Sequence, residues 1–274
     1  MNAGGMDANT HLDDPCFDAD REALRQRSID AGVPHWVVSG ADPEHWDRVV
    51  DVARDWGAVA VLGLHPWWTD LTPRTLHTTL TGLKERLATC AEGVGEIGLD
   101  RVRATTDLQW ERQQHALRAQ LEIAVDFELP VMFHCVRAWH ALREHVDACG
   151  LPSPGGMIHG WLGSREQTRE ALDRGLHLSF GPTTLRSPKT LASLRDVPLD
   201  RLLIESDCPH RPLEGRRRGE PADLHELCSR LAEIRGIEAN ALLSVTGDNA
   251  RRLFGVDQPS VVGPNKSSSS DSPR

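Results

Sequence analysis

The sequence predicts a (β/α)8 barrel, an α/β fold in which eight parallel strands alternate with helices in a single domain. Short apolar runs alternate with longer amphipathic runs from the start of the chain almost to its end. Eight such strand-then-helix units fill about 250 residues, the usual length of one barrel, and parallel strands need a helical crossover between them. An open doubly wound sheet is the alternative, but no glycine-rich phosphate loop follows the first strand.

The predicted strands are short and mostly apolar, as expected for parallel strands that are buried on both faces. In chain order they cover residues 6–9, 35–40, 58–64, 93–97, 131–134, 156–159, 176–180 and 201–205.

The predicted helices have apolar residues at helical spacing and recognisable ends. Pro43 lies in the first turn of one helix, Ser164 begins another, and a long helix stops before Pro130. In chain order they cover residues 18–31, 43–55, 73–89, 107–127, 138–149 and 164–174, then a helix that begins at 187–188, then 221–235 and 239–254.

The ends of the chain differ in composition from its middle. Residues 1–5 are expected to be a flexible N-terminus, residues 6–255 to form the barrel domain, and the Ser- and Pro-rich residues 256–274 to be a disordered tail. No apolar run approaches the roughly 20 residues that span a bilayer. The acidic N-terminus has no secretion signal, and the six cysteines include no Cys-x-x-Cys pair. We therefore expect a cytoplasmic protein with reduced thiols and no membrane contact.

The net charge of −9 argues against non-specific coating of nucleic acid, which relies on a basic surface. It does not exclude an enzyme that handles phosphates with bound metal and a few local arginines. No obligate protein partner is inferred.

Polar side chains of metal-ligand type stand at the ends of the predicted strands, where the active sites of such barrels lie. They are Asn9, His11, His65, Glu96, His134, His159 and Asp207. Imidazoles and carboxylates that converge from different strands suit zinc, manganese or magnesium. Glu96, between two glycines, could bridge two ions and so help to activate a water molecule. A Ser-His-Asp mechanism through Ser206 is less convincing because the chain has no Gly-x-Ser-x-Gly elbow.

Eight short stretches carry a resemblance to a known family. They are MDANTHLDD, LGLHP, VGEIGLD, the helix start ERQQ, VMFHC, GGMIHG, LLIESDCP and DNARRLFGV. They span residues 6 to 255 in family order, and together they resemble the TatD family of metal-dependent hydrolases. The resemblance implies an amidohydrolase-like TIM barrel with one or two metal ions, and a deoxyribonuclease activity at DNA ends through a metal-activated water.

By position, the resemblance also implies roles for single residues. Glu96 would bridge the metals, His134 and His159 would hold one ion, and His11 and Asp207 would hold the other. Asp207 would also take the proton from the attacking water. His65 would act in catalysis by orienting a phosphate oxygen of the substrate.

Three departures from the family pattern bear on these roles. Asn9 replaces the first histidine of a His-x-His pair, and its carbonyl oxygen remains a possible ligand for magnesium or manganese. Arg137 lies one residue beyond the usual arginine and would contact substrate phosphate or pair with an acid at the rim. The sequence Gly219-Glu220-Pro221 replaces an Asn-x-Pro, so substrate contacts in this loop are left open.

Two surface features of the active face have two interpretations each. The loop 209–220 carries Arg211, Arg216, Arg217 and Arg218, which form either a solvated, disordered run or a basic lip for a phosphate backbone. Trp67 and Trp68 either stack on unpaired bases of the substrate or close a hydrophobic pocket.

The main hypothesis is therefore a metal-dependent deoxyribonuclease with DNA as its partner. One alternative is a hydrolase of a small amide, lactone or ester, although no lysine stands at a strand end to bridge metals. The other is a catalytically weak metal-binding paralogue, which the replacement at Asn9 motivates.

Overall fold

The computed structural model describes residues 4–256, which form a barrel of eight parallel strands in the order β1 to β8. The predicted fold class is confirmed. The strands are β1 Met6–Thr10, β2 His35–Gly40, β3 Val59–Leu62, β4 Gly93–Asp100, β5 Val131–Val136, β6 Gly156–Ile158, β7 His177–Phe180 and β8 Leu202–Ile204. Among the strand ends, the largest shift from the sequence-based bounds is in β4, which extends three residues further and ends on Asp100.

The α-helices follow the strands and pack against the outside of the barrel. They are α1 Arg21–Asp30, α2 Trp46–Trp56, α3 Pro73–Leu87, α4 Asp107–Asp126, α5 Trp139–Cys149, α6 Arg165–Asp173, α7 Pro188–Leu194, α8 Asp223–Arg235 and α9 Ala239–Phe254. Side-chain capping explains where α4 and α6 begin. Thr106 and Ser164 each form a capping box with the glutamine three residues later, which satisfies free amides of the first turn.

The apolar core has two layers. Alternate strand residues such as Val59 and Val61 form one cluster with Met132, Met157 and Phe254 of α9. The residues between them, such as Ala60 and Leu62, join the larger cluster that the strands share with the surrounding helices. This division follows the two-residue period of a strand. It fills the barrel with side chains below the strand ends that carry the polar residues.

Hydrogen bonds beyond the strands join β1 to β8 and close the barrel at its carboxyl end. The Asp207 amide donates to the Asn9 carbonyl over 3.1 Å, and the His11 amide donates to the Cys208 carbonyl over 2.9 Å. The buried Asp7 carboxylate accepts the Ser206 amide over 2.9 Å. The polar residues that follow these two strands are thereby held next to each other.

The two ends of the chain are described only in part. Gly4 and Gly5, placed by sequence in the flexible N-terminus, contact the domain: the Gly5 amide donates to the Gly32 carbonyl over 2.8 Å. Residues 1–3 and the predicted tail from residue 257 onward lie outside the described residues. All six cysteines are free thiols.

Candidate metal centre

Glu96 lies at the centre of a cluster of side chains at the carboxyl end of the barrel. The pairing of β4 with β5 shifts register between Val94 and Ile97, and Glu96 lies within this irregularity. The glycines on either side allow it. A Cβ at Gly95 would lie 2.6 Å from Cβ of Met132, and one at Gly98 would lie 1.9 Å from the His134 carbonyl oxygen. Only glycine fits such close approaches, so these glycines let the strand present Glu96 to the cluster.

His11 and Asp207 approach one oxygen of the Glu96 carboxylate. Nε2 of His11 lies 3.3 Å from Oε1 of Glu96 and 3.5 Å from Oδ1 of Asp207. Nδ1 of His11 lies 3.0 Å from the Ser39 carbonyl oxygen, which requires a proton on Nδ1. Nε2 is then free to bind a metal through its lone pair. A backbone carbonyl that fixes the tautomer in this way is the usual support of a metal-binding histidine.

His134 and His159 approach the other oxygen. Nε2 of His159 lies 3.2 Å from Oε2 of Glu96 and 3.0 Å from Nδ1 of His134. Nδ1 of His134 is 3.9 Å from the same carboxylate oxygen. The two carboxylate oxygens of Glu96 therefore face different groups of ligand-type side chains. This is the arrangement expected of a bridging carboxylate.

Asn9 contacts the same carboxylate as a hydrogen-bond donor. Its Nδ2 lies 2.9 Å from Oε1 of Glu96 and 3.2 Å from Nδ1 of His159. Its Oδ1 accepts a hydrogen bond from Oγ of Ser39 over 2.6 Å. The oxygen that would bind a metal is therefore engaged elsewhere. A ligand role for Asn9 requires its amide to turn over, and that role stays a prediction.

His65 lies in the cluster with its proton on the nitrogen that faces Glu96. The Trp67 amide donates to Nδ1 of His65 over 3.2 Å, so Nδ1 is an acceptor and a neutral ring carries its proton on Nε2. Nε2 lies 3.5 Å from Oε2 of Glu96. Burial lowers the pKa of His65 well below its ordinary value, and the neighbouring His134 lowers it further. Although His65 is close enough to share an ion with Glu96 and His134, its tautomer makes it a donor rather than a ligand.

Two further carboxylates support the histidines. Oδ2 of Asp100 lies 3.4 Å from Nε2 of His134, and Glu205 Oε1 lies 3.6 Å from Nδ1 of His159. Neither acid was among the residues predicted for the site. Both lie close in sequence to predicted residues, because Asp100 is four residues from Glu96 and Glu205 is two residues from Asp207. That spacing alone does not place their side chains, since Gly98 and Asp207 have positive φ and the backbone there is not a regular strand.

Asp100 also connects the site to the rim. Its Oδ2 accepts the indole N–H of Trp67 over 2.8 Å, and its Oδ1 accepts the amides of Val102 and Arg103 over 2.9 and 3.1 Å. Burial would raise the pKa of Asp100, but the nearby His134 and the hydrogen bond from Trp67 outweigh it and lower the pKa. Asp100 is therefore an anion beside Nε2 of His134, which favours a proton on Nε2 and leaves Nδ1 for the centre.

The carboxylates of the cluster stabilise positive charge on the neighbouring histidines. Burial would lower the pKa of His11, but its contacts with Asp207 and Glu96 raise it well above its ordinary value. Burial would raise the pKa of Glu96, but His159 and His11 lower it well below the usual range. The same acids that attract a proton to the imidazoles attract a divalent cation.

The residues present fit a divalent metal ion. Three groups of side chains could each hold an ion, because the ligand atoms within each group lie within 4.8 Å of one another. The groups are His65 with Glu96 and His134, His11 with Glu96 and Asp207, and His159 with Glu205 and Asp207. Oε2 of Glu205 is buried with no hydrogen-bond partner in the described part of the chain. Nitrogen and carboxylate oxygen donors suit zinc, manganese or magnesium without selecting among them.

The predicted basic loop is largely neutralised. Arg216 pairs with Asp223 and Glu226, and Arg218 pairs with Asp20 and Glu220. These contacts hold the loop against α1 and α8. The loop is therefore not a solvated, disordered run, and the paired arginines Arg216 and Arg218 do not form a fully basic surface for a phosphate backbone.

Four residues predicted for the active face are exposed. Arg137, at φ 51° just after β5, is exposed and has no ion pair or hydrogen bond within residues 4–256. Nε of Arg211 lies 3.6 Å from Oδ2 of Asp207. Trp67 and Trp68 are each 47% exposed.

No helix among the described residues is both long enough and apolar enough to cross a membrane.

Comparisons with known proteins agree with this geometry. The sequence model of the family described as TatD related DNase matches residues 6–255. The chain is 33% identical over 256 residues to the uncharacterized metal-dependent hydrolase YjjV of Escherichia coli, covering 92% of this chain and 98% of that protein. It is 30% identical over 269 residues to the 3'-5' ssDNA/RNA exonuclease TatD of Enterobacter lignolyticus, covering 92% and 99%.

Solved structures agree with the sequence relatives. The crystal structure of YjjV superimposes with a TM-score of 0.84 at 32% identity, covering 93% of this chain and 99% of that one. An organophosphorus hydrolase variant from Deinococcus radiodurans has a TM-score of 0.65 at 17% identity, covering 92% and 93%, and shares the fold alone.

Proposed function

Because the chain belongs to the family of TatD related DNases and is a metal-dependent hydrolase of that family, we propose that it cleaves phosphodiester bonds at the ends of DNA. The observation that carries the proposal is the position of Glu96, whose two carboxylate oxygens face different sets of ligand-type side chains. Relatives named as 3'-5' ssDNA/RNA exonucleases favour a single-stranded nucleic acid as the substrate. A cytoplasmic location remains a prediction from the sequence.

In this proposal, the residues around Glu96 would hold one or two Mg²⁺, Mn²⁺ or Zn²⁺ ions. His134 and His159 would hold one ion, His11 and Asp207 the other, and Glu96 would contact both. Such ions supply Lewis acidity to a phosphoryl oxygen and lower the pKa of water. Asn9 supports Glu96 through its amide group, or ligates if that group turns over.

The remaining steps belong to the side chains of this chain. Asp207 would accept the proton of the attacking water because its carboxylate is at the mouth of the cluster and only partly buried. Neutral His65 would donate its Nε2 proton as a hydrogen bond to a phosphate oxygen, which helps to orient the phosphate. Arg137, which has no acidic partner in the described part of the chain, and Trp67 would contact the substrate beyond the scissile bond.

The direct test is cleavage of end-labelled single-stranded DNA by the purified protein with Mn²⁺ or Mg²⁺. We expect shortened products from the wild-type protein, and at least about a 10²-fold lower rate from Asp207→Ala, as for loss of one proton-transfer group. DNA left uncut by the wild-type protein, with Asp207→Ala indistinguishable from it, would refute the proposal.

The two alternative functions, a hydrolase of small molecules and a weak metal-binding paralogue, can be distinguished from a deoxyribonuclease. Among the described residues no lysine stands at a strand end, since Lys84 lies on α3 and Lys189 on α7, which disfavours a lysine-bridged hydrolase of small amides, lactones or esters. A substrate panel of nucleotides, amides and phosphoesters tests that alternative. The engaged oxygen of Asn9 favours a weak metal-binding paralogue, which measured stoichiometry of two ions per chain would contradict.

A further inference from the structure

A cavity of about 170 Å³ opens beside the candidate metal centre. Trp67 forms one of its walls, and Arg103, Asp70 and Gln109 also line it. Of the residues with a role in the proposed function, Trp67 alone lies in this lining, and that role does not say what occupies the cavity.

Trp67 stands between the cavity and the metal centre, and its orientation is fixed. Its indole N–H donates to Asp100 over 2.8 Å. Its ring centroid lies 4.9 Å from that of His65 and 6.3 Å from that of His134. Nearly half of this large ring is nevertheless exposed. A rigid, exposed aromatic ring this close to the reaction centre is suited to stacking.

Arg103 adds a cation to the same wall. Its guanidinium carbon lies 4.2 Å from the centroid of the Trp67 ring, within the range of a cation–π contact. The Arg103 side chain forms no ion pair with any acid of residues 4–256, so its charge is not neutralised. Its backbone amide is bound by Asp100, the same carboxylate that holds Trp67. One acid thus positions both members of the pair.

Gln109 and Asp70 add polar groups to the lining of the cavity. Oε1 of Gln109 is occupied by Thr105 and Thr106, but its amide nitrogen has no partner in the described chain. One oxygen of Asp70 accepts from Arg112, and the other remains an acceptor. A donor and an acceptor next to an aromatic–cation pair match the edges and faces of a nucleobase.

We propose that this cavity is a subsite for one unpaired nucleobase, which stacks against the Trp67–Arg103 pair while the adjacent phosphodiester lies at the metal centre. The inference rests on the proposed nuclease function and specifies its substrate. A base within a duplex is paired and stacked on its neighbours, so it cannot enter. The subsite therefore selects single-stranded ends.

The test measures binding of a fluorescently labelled, hydrolysis-resistant phosphorothioate single strand to the full-length protein in Mn²⁺ buffer. Trp67→Ala should weaken binding by at least about fivefold, the lower end for loss of one base–aromatic stack. Trp68→Ala is the matched control, because Trp68 is adjacent and equally exposed but does not line the cavity. Trp67→Phe keeps a ring without the N–H and should retain most of the affinity.

Abasic substitution then locates the base. Removing the base at one position of the strand should weaken binding to the wild-type protein and have little further effect on Trp67→Ala. Arg103→Gln should reproduce part of the loss without disturbing the bond from Trp67 to Asp100. The Arg103→Gln variant also tests the subsite if Trp67→Ala fails to fold.

Three results would overturn the subsite: equal effects of Trp67→Ala and Trp68→Ala, no position sensitive to base removal, or no binding of the strand at all. Failure of the nuclease proposal is recognised separately, as absence of metal-dependent cleavage of unmodified DNA. If cleavage occurs while binding is insensitive to Trp67, only the subsite is refuted.

Discussion

Asn9 donates a hydrogen bond from Nδ2 to Oε1 of Glu96 over 2.9 Å. Asn9 therefore acts as a donor to the Glu96 carboxylate, while its amide oxygen accepts a hydrogen bond from Ser39. A donor to a carboxylate orients it but adds no negative charge. Glu96, by contrast, supplies a negative charge that His11 faces on one side and His134 and His159 face on the other.

We expect Glu96→Gln to lower metal content more than Asn9→Ala. Glu96→Gln removes a buried charge and one oxygen donor from both groups of ligands, whereas Asn9→Ala removes only an orienting contact. The loss for Asn9→Ala should be within about 10- to 100-fold in affinity, as for other outer contacts of metal sites. Mass spectrometry of metal retained after gel filtration, at limiting Mn²⁺, measures both. Equal metal loss in the two variants would refute this ordering.

Asp100→Asn should weaken metal binding although Asp100 is not expected to touch the ion. Asp100 faces the outer nitrogen of His134, and removing its charge frees that ring to turn or change tautomer. We expect about a 10- to 100-fold loss of affinity, measured by titration with Mn²⁺. Asp147→Asn is the control, because Asp147 pairs with Arg174 at the surface. Affinity equal to that of the control would show that Asp100 does not position His134.

His65→Gln should separate turnover from metal binding. The bond from the Trp67 amide leaves the Nε2 proton of His65 as a donor to substrate, so its loss should remove one oriented contact in the transition state. We expect the rate of DNA cleavage to fall by about 10²-fold, as when one such donor is removed elsewhere. Metal content should be unchanged. Loss of metal in proportion to activity would instead make His65 a ligand.

The barrel and most of the centre were predictable because both depend on local pattern. Strand ends are marked by the apolar runs that precede them, and the ligand-type residues follow those runs directly. Contacts between distant segments are not encoded in this way. Arg218 pairs with Asp20, 198 residues away, which no local pattern predicts. The role of Asp100 was missed because it depends on the length of β4 and on the position of Trp67, 33 residues earlier.

His177 provides a prediction about stability that is independent of the metal centre. It lies at the start of β7, at the opposite end of the barrel, where burial and the nearby Arg201 lower its pKa to about 4. Between pH 6.5 and pH 4 the unfolded chain binds a proton at His177 that the folded chain does not. The free energy of unfolding should therefore fall as the pH falls through this window.

His177→Gln should remove this dependence. Because one pKa unit corresponds to about 1.4 kcal/mol, the wild-type protein should lose up to about 3 kcal/mol more than the variant between pH 6.5 and pH 4. Urea unfolding at several pH values measures the difference, which cancels contributions from other groups common to both proteins. His77→Gln, on the exposed face of α3, should run parallel to the wild type. A wild-type curve parallel to that of His177→Gln would show that folding does not lower the pKa of His177.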